Sequence, residues 1–162
     1  LKDRSKSAEV LEKYKGETDS WAKAFSGIAL GRTEYSEAEE ELTGALDSTD
    51  TLVKASSIIA LSDIGSEHIK GRLKDIYEQS SGTDYEKVAS VYGMIKFGNK
   101  DYENLLTGYL KNDDSFVRAL AALCMEELSM KEKVPAIQEA LEREDAPLSR
   151  LVMIKVIETL AK

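Results

Sequence analysis

Apolar positions in this chain come back at intervals of 31–33 residues, and that limits the folds open to it more tightly than any motif does. Val10, Leu42, Leu73, Leu106 and Ile137 form one column of equivalent positions, and Tyr14, Leu46, Tyr77, Leu110 and Leu141 a second. Leu30, Leu61, Met94, Met125 and Ile157 form a third, and Thr33, Ile64, Phe97, Leu128 and Leu160 a fourth. Self-similarity at a period between roughly 20 and 50 residues marks a stack of small supersecondary units, none of which can bury its apolar face alone.

Residues 113–144 show the unit most clearly. The first part opens at Asp114, a residue whose carboxylate can cap a helix, and carries Val117, Leu120, Ala121, Cys124, Met125 and Leu128 at the i, i+3, i+4 spacing of one helix face. The second begins near Pro135, which costs least in a first helical turn, and continues the stripe through Val134, Ile137, Ala140 and Leu141. Two short amphipathic helices per repeat predict an all-α fold, an α-α superhelix or solenoid of four to five hairpins.

In chain order, residues 1–15 read as an orphan second helix, followed by hairpins over 19–47, 50–79, 84–111 and 114–143 and a terminal helix over 147–162. The whole is read as a single domain belonging to a longer protein. Trp21, Ala24, Phe25, Ile28, Ala29 and Leu30 are expected to form the apolar side of one first helix. Its partner turns Ala38, Leu42, Ala45 and Leu46 inward, and places Glu37, Glu39, Glu40 and Glu41 where negative charge suits the helix dipole. Gly65 is placed to close the helix over 50–64, and Ser66 to cap a continuous helix using Ile69, Leu73, Ile76 and Tyr77. Ser80-Ser81-Gly82-Thr83 reads as the most flexible connection. The last helix, with Leu151, Val152, Val156, Ile157 and Leu160, has no partner after it.

A column of mostly small residues, Ala29, Ala60, Gly93, Cys124 and Val156, is expected where first helices approach most closely, and it accounts for Cys124 as a packing residue rather than a reactive thiol. Gly27 and Gly31 likewise read as close helix packing.

Several function classes lack their chemistry. A net charge of -8 and a pI near 4.8 disfavour nucleic-acid binding, whose affinity comes largely from basic groups displacing counterions. No apolar run approaches the ~20 residues a spanning helix needs, so no membrane insertion is expected. His68 is the only histidine and cannot furnish a metal centre; no glycine loop cradles a phosphate and no G-x-S-x-G elbow presents a nucleophile. Among 30 acidic residues, a pair such as Glu126 and Glu127 points to nothing. No catalytic residue, metal or cofactor is therefore expected. Nothing in the sequence sets the compartment, and the cytoplasm is the default.

The runs F-V-R-A-L-A-A-L, A-L-S-D-I-G, V-P-A-I-Q-E-A-L and D-A-P-L-S-R make the chain resemble the HEAT repeat family, best over 50–162. The stretch Y-S-E-A-E-E-E-L-T-G-A-L looks instead like the second helix of a tetratricopeptide repeat, although the period falls short of the 34 those units hold. The HEAT resemblance implies that a fifth column, Lys23, Lys54, Lys87, Arg118 and Arg150, is a structural basic ladder bonding carboxylates in neighbouring turns. It also implies a protein-interaction scaffold, with a HEAT-like phycobilin-type lyase or its accessory subunit as the alternative. The expected partner is a protein or peptide on the concave face made by the second helices. On that face lie Lys70, Lys74, Asn104, Thr107 and Gln138, and Gly44 and Gly108 leave room for a partner's backbone.

Overall fold

Side-chain caps mark the start of four of the five first helices, and the fifth, after Ala146, opens on Pro147 instead. Asp19, Asp50, Thr83 and Asp114 each take an extended backbone and accept a hydrogen bond from an N–H in the turn that follows, satisfying donors the helix leaves open. The computed structural model describes residues 4–79 and 82–162, and all regular structure among them is helical. Ser80 and Ser81, half of the connection read as flexible, lie outside the described residues.

The chain forms two compact units. The first, Leu1–Gly98, contains α1 (Arg4–Gly16), α2 (Ser20–Arg32), α3 (Glu39–Gly44), α4 (Thr51–Ile64), α5 (Glu67–Lys70), α6 (Leu73–Glu78) and α7 (Asp84–Lys96). The second, Asn99–Lys162, contains α8 (Glu103–Gly108), α9 (Ser115–Glu127), α10 (Val134–Arg143) and α11 (Pro147–Leu160).

Four first helices end in a left-handed residue at one repeating position: Glu34, Gly65, Gly98 and Ser129 all have positive φ. At Gly65 the corner is closed by two bonds, Gly65 N–H to the Ser62 carbonyl and Ser66 N–H to the Leu61 carbonyl. Glycine takes this conformation without a Cβ clash, whereas Glu34 and Ser129 hold it at a cost of about 1 kcal/mol each.

The second helices are shorter than expected. Short 3-10 turns at Ser36–Ala38 and Ala45–Asp47 flank α3, others at Lys100–Tyr102 and Tyr109–Lys111 flank α8, and one at Lys131–Lys133 precedes α10. The continuous helix expected after Ser66 is instead split into α5 and α6 at Gly71 and Arg72, glycine being a poor helix former. Ser66 does sit at the cap position, but its hydroxyl donates to Glu39 at 2.6 Å rather than closing the helix.

The core of the first unit is α4, which packs between α2 and α7 and is buried at every position from 55 to 62. Its serines fit because they satisfy themselves: Ser56 and Ser57 donate to the Val53 carbonyl and Ser62 to the Ile58 carbonyl. Small side chains let the helices meet at close range. A Cβ added to Gly31 would stand 2.5 Å from the Ala60 Cα, and one added to Gly93 would stand 2.5 Å from the Ser62 Oγ. In the second unit α9 packs on α11 and α10 lies beside α11.

Burial follows the columns unevenly. Leu42, Leu73, Leu106 and Ile137 are fully enclosed, as are Leu30, Leu61 and Met125, while Val10 and Ile157 are half-buried. Ala60, Gly93, Cys124 and Val156 are buried, but Ala29 is exposed. Trp21 and Phe25, expected on the apolar inner side of α2, are 45% and 64% exposed; α2 turns Ala24, Gly27, Leu30 and Gly31 inward instead. The cause is that Ala60 leaves no space for a side chain at position 31, so the glycine face of α2, not its aromatic face, meets α4.

Gly31→Ala is therefore expected to lower stability by roughly 1–3 kcal/mol despite alanine's better helix propensity, because the atom it meets is backbone. Gly44→Ala, where an added Cβ meets nothing within 4 Å, is expected to hold or raise it by up to ~1 kcal/mol. Urea melts of both variants check the contrast.

Candidate functional site

Each unit contains an open groove along its second helices. In the second unit a groove of about 590 Å³ runs between α8 with its following turn and α10, lined by Thr107, Lys111, Ala136, Glu139, Ala140 and Arg143 and bounded at one end by Arg118 and Glu144. In the first unit a groove of about 510 Å³ lies between α1 and α3 with its following turn, lined by Tyr14, Lys15, Glu41, Gly44, Ala45 and Ser48 and bounded by Lys23 and Asp50. The two share much of their lining, three repeats apart: Lys23 corresponds to Arg118, Glu41 to Ala136, Gly44 to Glu139, Ala45 to Ala140, Ser48 to Arg143 and Asp50 to Asp145, while Thr107, Lys111 and Glu144 have no counterpart in the first groove.

The inner end of the second groove is held by a network of hydrogen bonds. Arg118 makes a bidentate pair with Glu144, Nε at 2.7 Å and Nη2 at 2.6 Å, and its Nη1 donates to the carbonyls of Asn112 at 2.6 Å and Asp113 at 3.0 Å. The Glu144 side chain is wholly buried, and it also accepts from the Ser149 hydroxyl at 2.7 Å and the Ala146 N–H at 3.0 Å. The Arg118 guanidinium, helped by Ser149 and Ala146, holds the Glu144 carboxyl down at about 2, against the cost of burying it. Arg118 is raised in turn, chiefly by its bond to Glu144.

The other basic-column residues bond in different ways. Arg150 donates to the carbonyls of Leu141 at 3.0 Å and Glu144 at 2.7 Å. Lys54 lies 3.7 Å from Glu86. Lys23 reaches the Glu17 carbonyl at 3.4 Å and sits 5.0 Å over the Tyr14 ring, while Lys87 is half-buried on α7. Backbone carbonyls thus take as large a share as the carboxylates anticipated from the sequence. In the first groove the Ser20 hydroxyl and the Val53 and Leu52 N–H groups lower Asp50, and burial raises the Tyr14 phenol.

Of Lys70, Lys74, Asn104, Thr107 and Gln138, only Thr107 lines one of these two grooves, and its hydroxyl is turned to the Glu103 carbonyl at 2.9 Å; Gly44, expected to leave room on the same face, lines the groove of the first unit. Lys70 and Lys74 are exposed in the first unit, paired with Glu67 at 3.0 Å and Glu78 at 3.7 Å; Lys70 also lies 5.5 Å over the Phe97 ring. In the second unit Asn104 is exposed and accepts from Lys133 at 3.4 Å, and Gln138 is exposed on α10. Neither Gly44 nor Gly108 has a neighbour within 4 Å of an added Cβ, so both leave open space on this side. Ala140, expected in the buried stripe of α10, is only half-buried and lines the groove together with Ala136 and Arg143, which no apolar periodicity marks.

Among the described residues no group of three or more His, Cys, Asp or Glu side chains could hold a metal, and no helix is long and apolar enough to cross a membrane. His68 is exposed, with Arg72 Nη1 at 3.3 Å from its Nε2. No family model matches the chain, and no curated protein is significantly similar to it.

Two outcomes follow for the buried pair. Arg118→Ala strands Glu144 and is expected to cost roughly 3–5 kcal/mol, as loss of one partner of a buried pair does. Because Glu144 titrates lower folded than unfolded, its contribution is complete above pH 4.5 and is lost as pH falls from there towards 2. That contribution is worth up to ~3 kcal/mol, and Glu144→Gln should flatten this part of the profile in urea melts between pH 7 and pH 2.5.

Proposed function

We propose that the chain is a non-catalytic protein-interaction module, an α-solenoid of HEAT-like hairpins that takes a peptide or helix of a partner protein in the grooves between successive second helices. The observation that carries this reading is a groove along the second helices in both units, lined in part at equivalent positions and bounded in each by a basic-column residue. A repeated groove of small residues flanked by both charge signs suits a polypeptide, whose backbone needs close approach and whose side chains carry either charge. In the second unit Ala136 and Ala140 supply the small residues, Lys111 and Arg143 the positive charge, and Asp113, Glu139 and Asp145 the negative. The overall charge of -8 argues against a nucleic-acid backbone as the occupant. In this reading Arg118 and Arg150 serve as structure, fixing the turns that set the groove's end, and are not anion-binding groups.

Selection from a display library of helical and extended peptides tests it. Ala140→Arg and Thr107→Arg, which fill the second groove, are expected to weaken selected peptides at least tenfold, about 1.4 kcal/mol, with melting unchanged. Lys70→Ala and Lys74→Ala, which lie outside it, are expected to leave binding alone. Peptides that bind the Ala140→Arg and Thr107→Arg variants as well as the parent chain would contradict the reading.

A further inference from the structure

Exposed apolar side chains are concentrated on two helices. Of the six large ones among the described residues, Trp21 and Phe25 lie on α2 and Leu148, Leu151 and Ile154 on α11, exposed by 40–64%. Their positions are not arbitrary with respect to the packing inside the first unit. There, Gly27 meets Ser56 and Gly31 meets Ala60, a constant offset that sets α2 and α4 side by side and parallel. One helix further on, Ser62 meets Gly93 in the same register. Each first helix thus has a leading side, one residue past the column of Leu30 and Leu61, and a trailing side, one residue before it.

By that register the exposed stripe of α2, Phe25 and Ala29 with Trp21 beside them, is its trailing side, equivalent to Ser56 and Ala60, which α2 covers on α4. The exposed stripe of α11, Leu151 and Ile154 followed by Glu158, is its leading side, equivalent to Ala24, Gly27 and Gly31, which are buried on α2, the two glycines against α4. The trailing side of α11, with Ser149 and Val156, is already buried. The chain therefore exposes one leading and one trailing apolar side, the two halves of the contact it makes internally.

We propose that these halves meet between copies: the leading side of α11 in one copy docks on the trailing side of α2 in a second copy, parallel and in the register of α2 on α4. The charges agree, since Glu158 lies at the end of one stripe and Arg32 at the same end of the other, both exposed. Trp21 and Phe25, already stacked at 6.0 Å between centroids, offer a preformed aromatic surface to Leu151 and Ile154. The contact uses different patches on the two copies, so it is heterologous and extends into chains or closes into rings rather than stopping at a symmetric pair.

The test is sedimentation equilibrium from micromolar to millimolar chain concentration. The parent protein is expected to grow in mass beyond one chain as concentration rises. Phe25→Glu and Leu151→Glu, both at exposed positions, are each expected to remain monomeric alone. Mixed in equal amounts they should form 1:1 dimers and nothing larger, because one intact stripe survives on each. Circular dichroism melts check that both fold, and Phe25→Ser and Leu151→Ser replace either that does not. A parent chain that stays monomeric at millimolar concentration, as it would if the stripes belonged to a different protein, overturns the proposal. So does association that survives either substitution, or a mixture that stays monomeric.

Discussion

Everything in the first unit depends on how closely two helices can run. The Ala60 backbone stands where a side chain on Gly31 would be, and Ser62 and Leu73 where one on Gly93 would be. That approach fixes which face of each helix turns inward, because a glycine or serine face can pack at this distance and an aromatic one cannot. Once α4 is held between α2 and α7, its serines find partners one turn back in their own helix, and Ser57 also lies 3.3 Å from the Tyr14 hydroxyl of α1.

The second unit relies on electrostatics at the equivalent corner. Arg118 spends its donors on Glu144 and on two carbonyls of the preceding turn, while Glu144 ties in Ser149 and the Ala146 N–H. One guanidinium and one carboxylate thereby connect the turn before α9 to the turn before α11, and the wall of the groove is fixed at that end. In the first unit the equivalent corner has Lys23 over Tyr14 and a single long bond to a carbonyl, a looser arrangement of the same position.

Local chemistry made much of this legible in the sequence. Asp50 and Asp114 cap as their side chains allow, Gly65 takes the left-handed corner, and Pro135 and Pro147 sit in first turns. Periodicity was less informative about direction. Trp21, Phe25 and Ala29 satisfy a helix-face pattern as well as Ala24 and Leu30 do, because a face made for a neighbour is apolar whether or not that neighbour is in the chain. The left-handed Glu34 and Ser129 carried no signal, since only glycine announces that conformation. Glu144 was one acid among many, and its burial is set by an arginine 26 residues away. The groove on α10 is lined by Ala136, Ala140 and Arg143, two small residues and one charged one, a combination that helix periodicity does not single out.

The close-packed first helices hold the first unit together, with α4 innermost. Amide hydrogen exchange resolved by residue measures this directly, since protection follows the stability of the unit that must open. Exchange is expected to be slowest at residues 57–61 of α4, and much faster at residues 8–12 of α1, where only Leu11 is buried. Equal protection in the two segments, or slower exchange in α1, would contradict it.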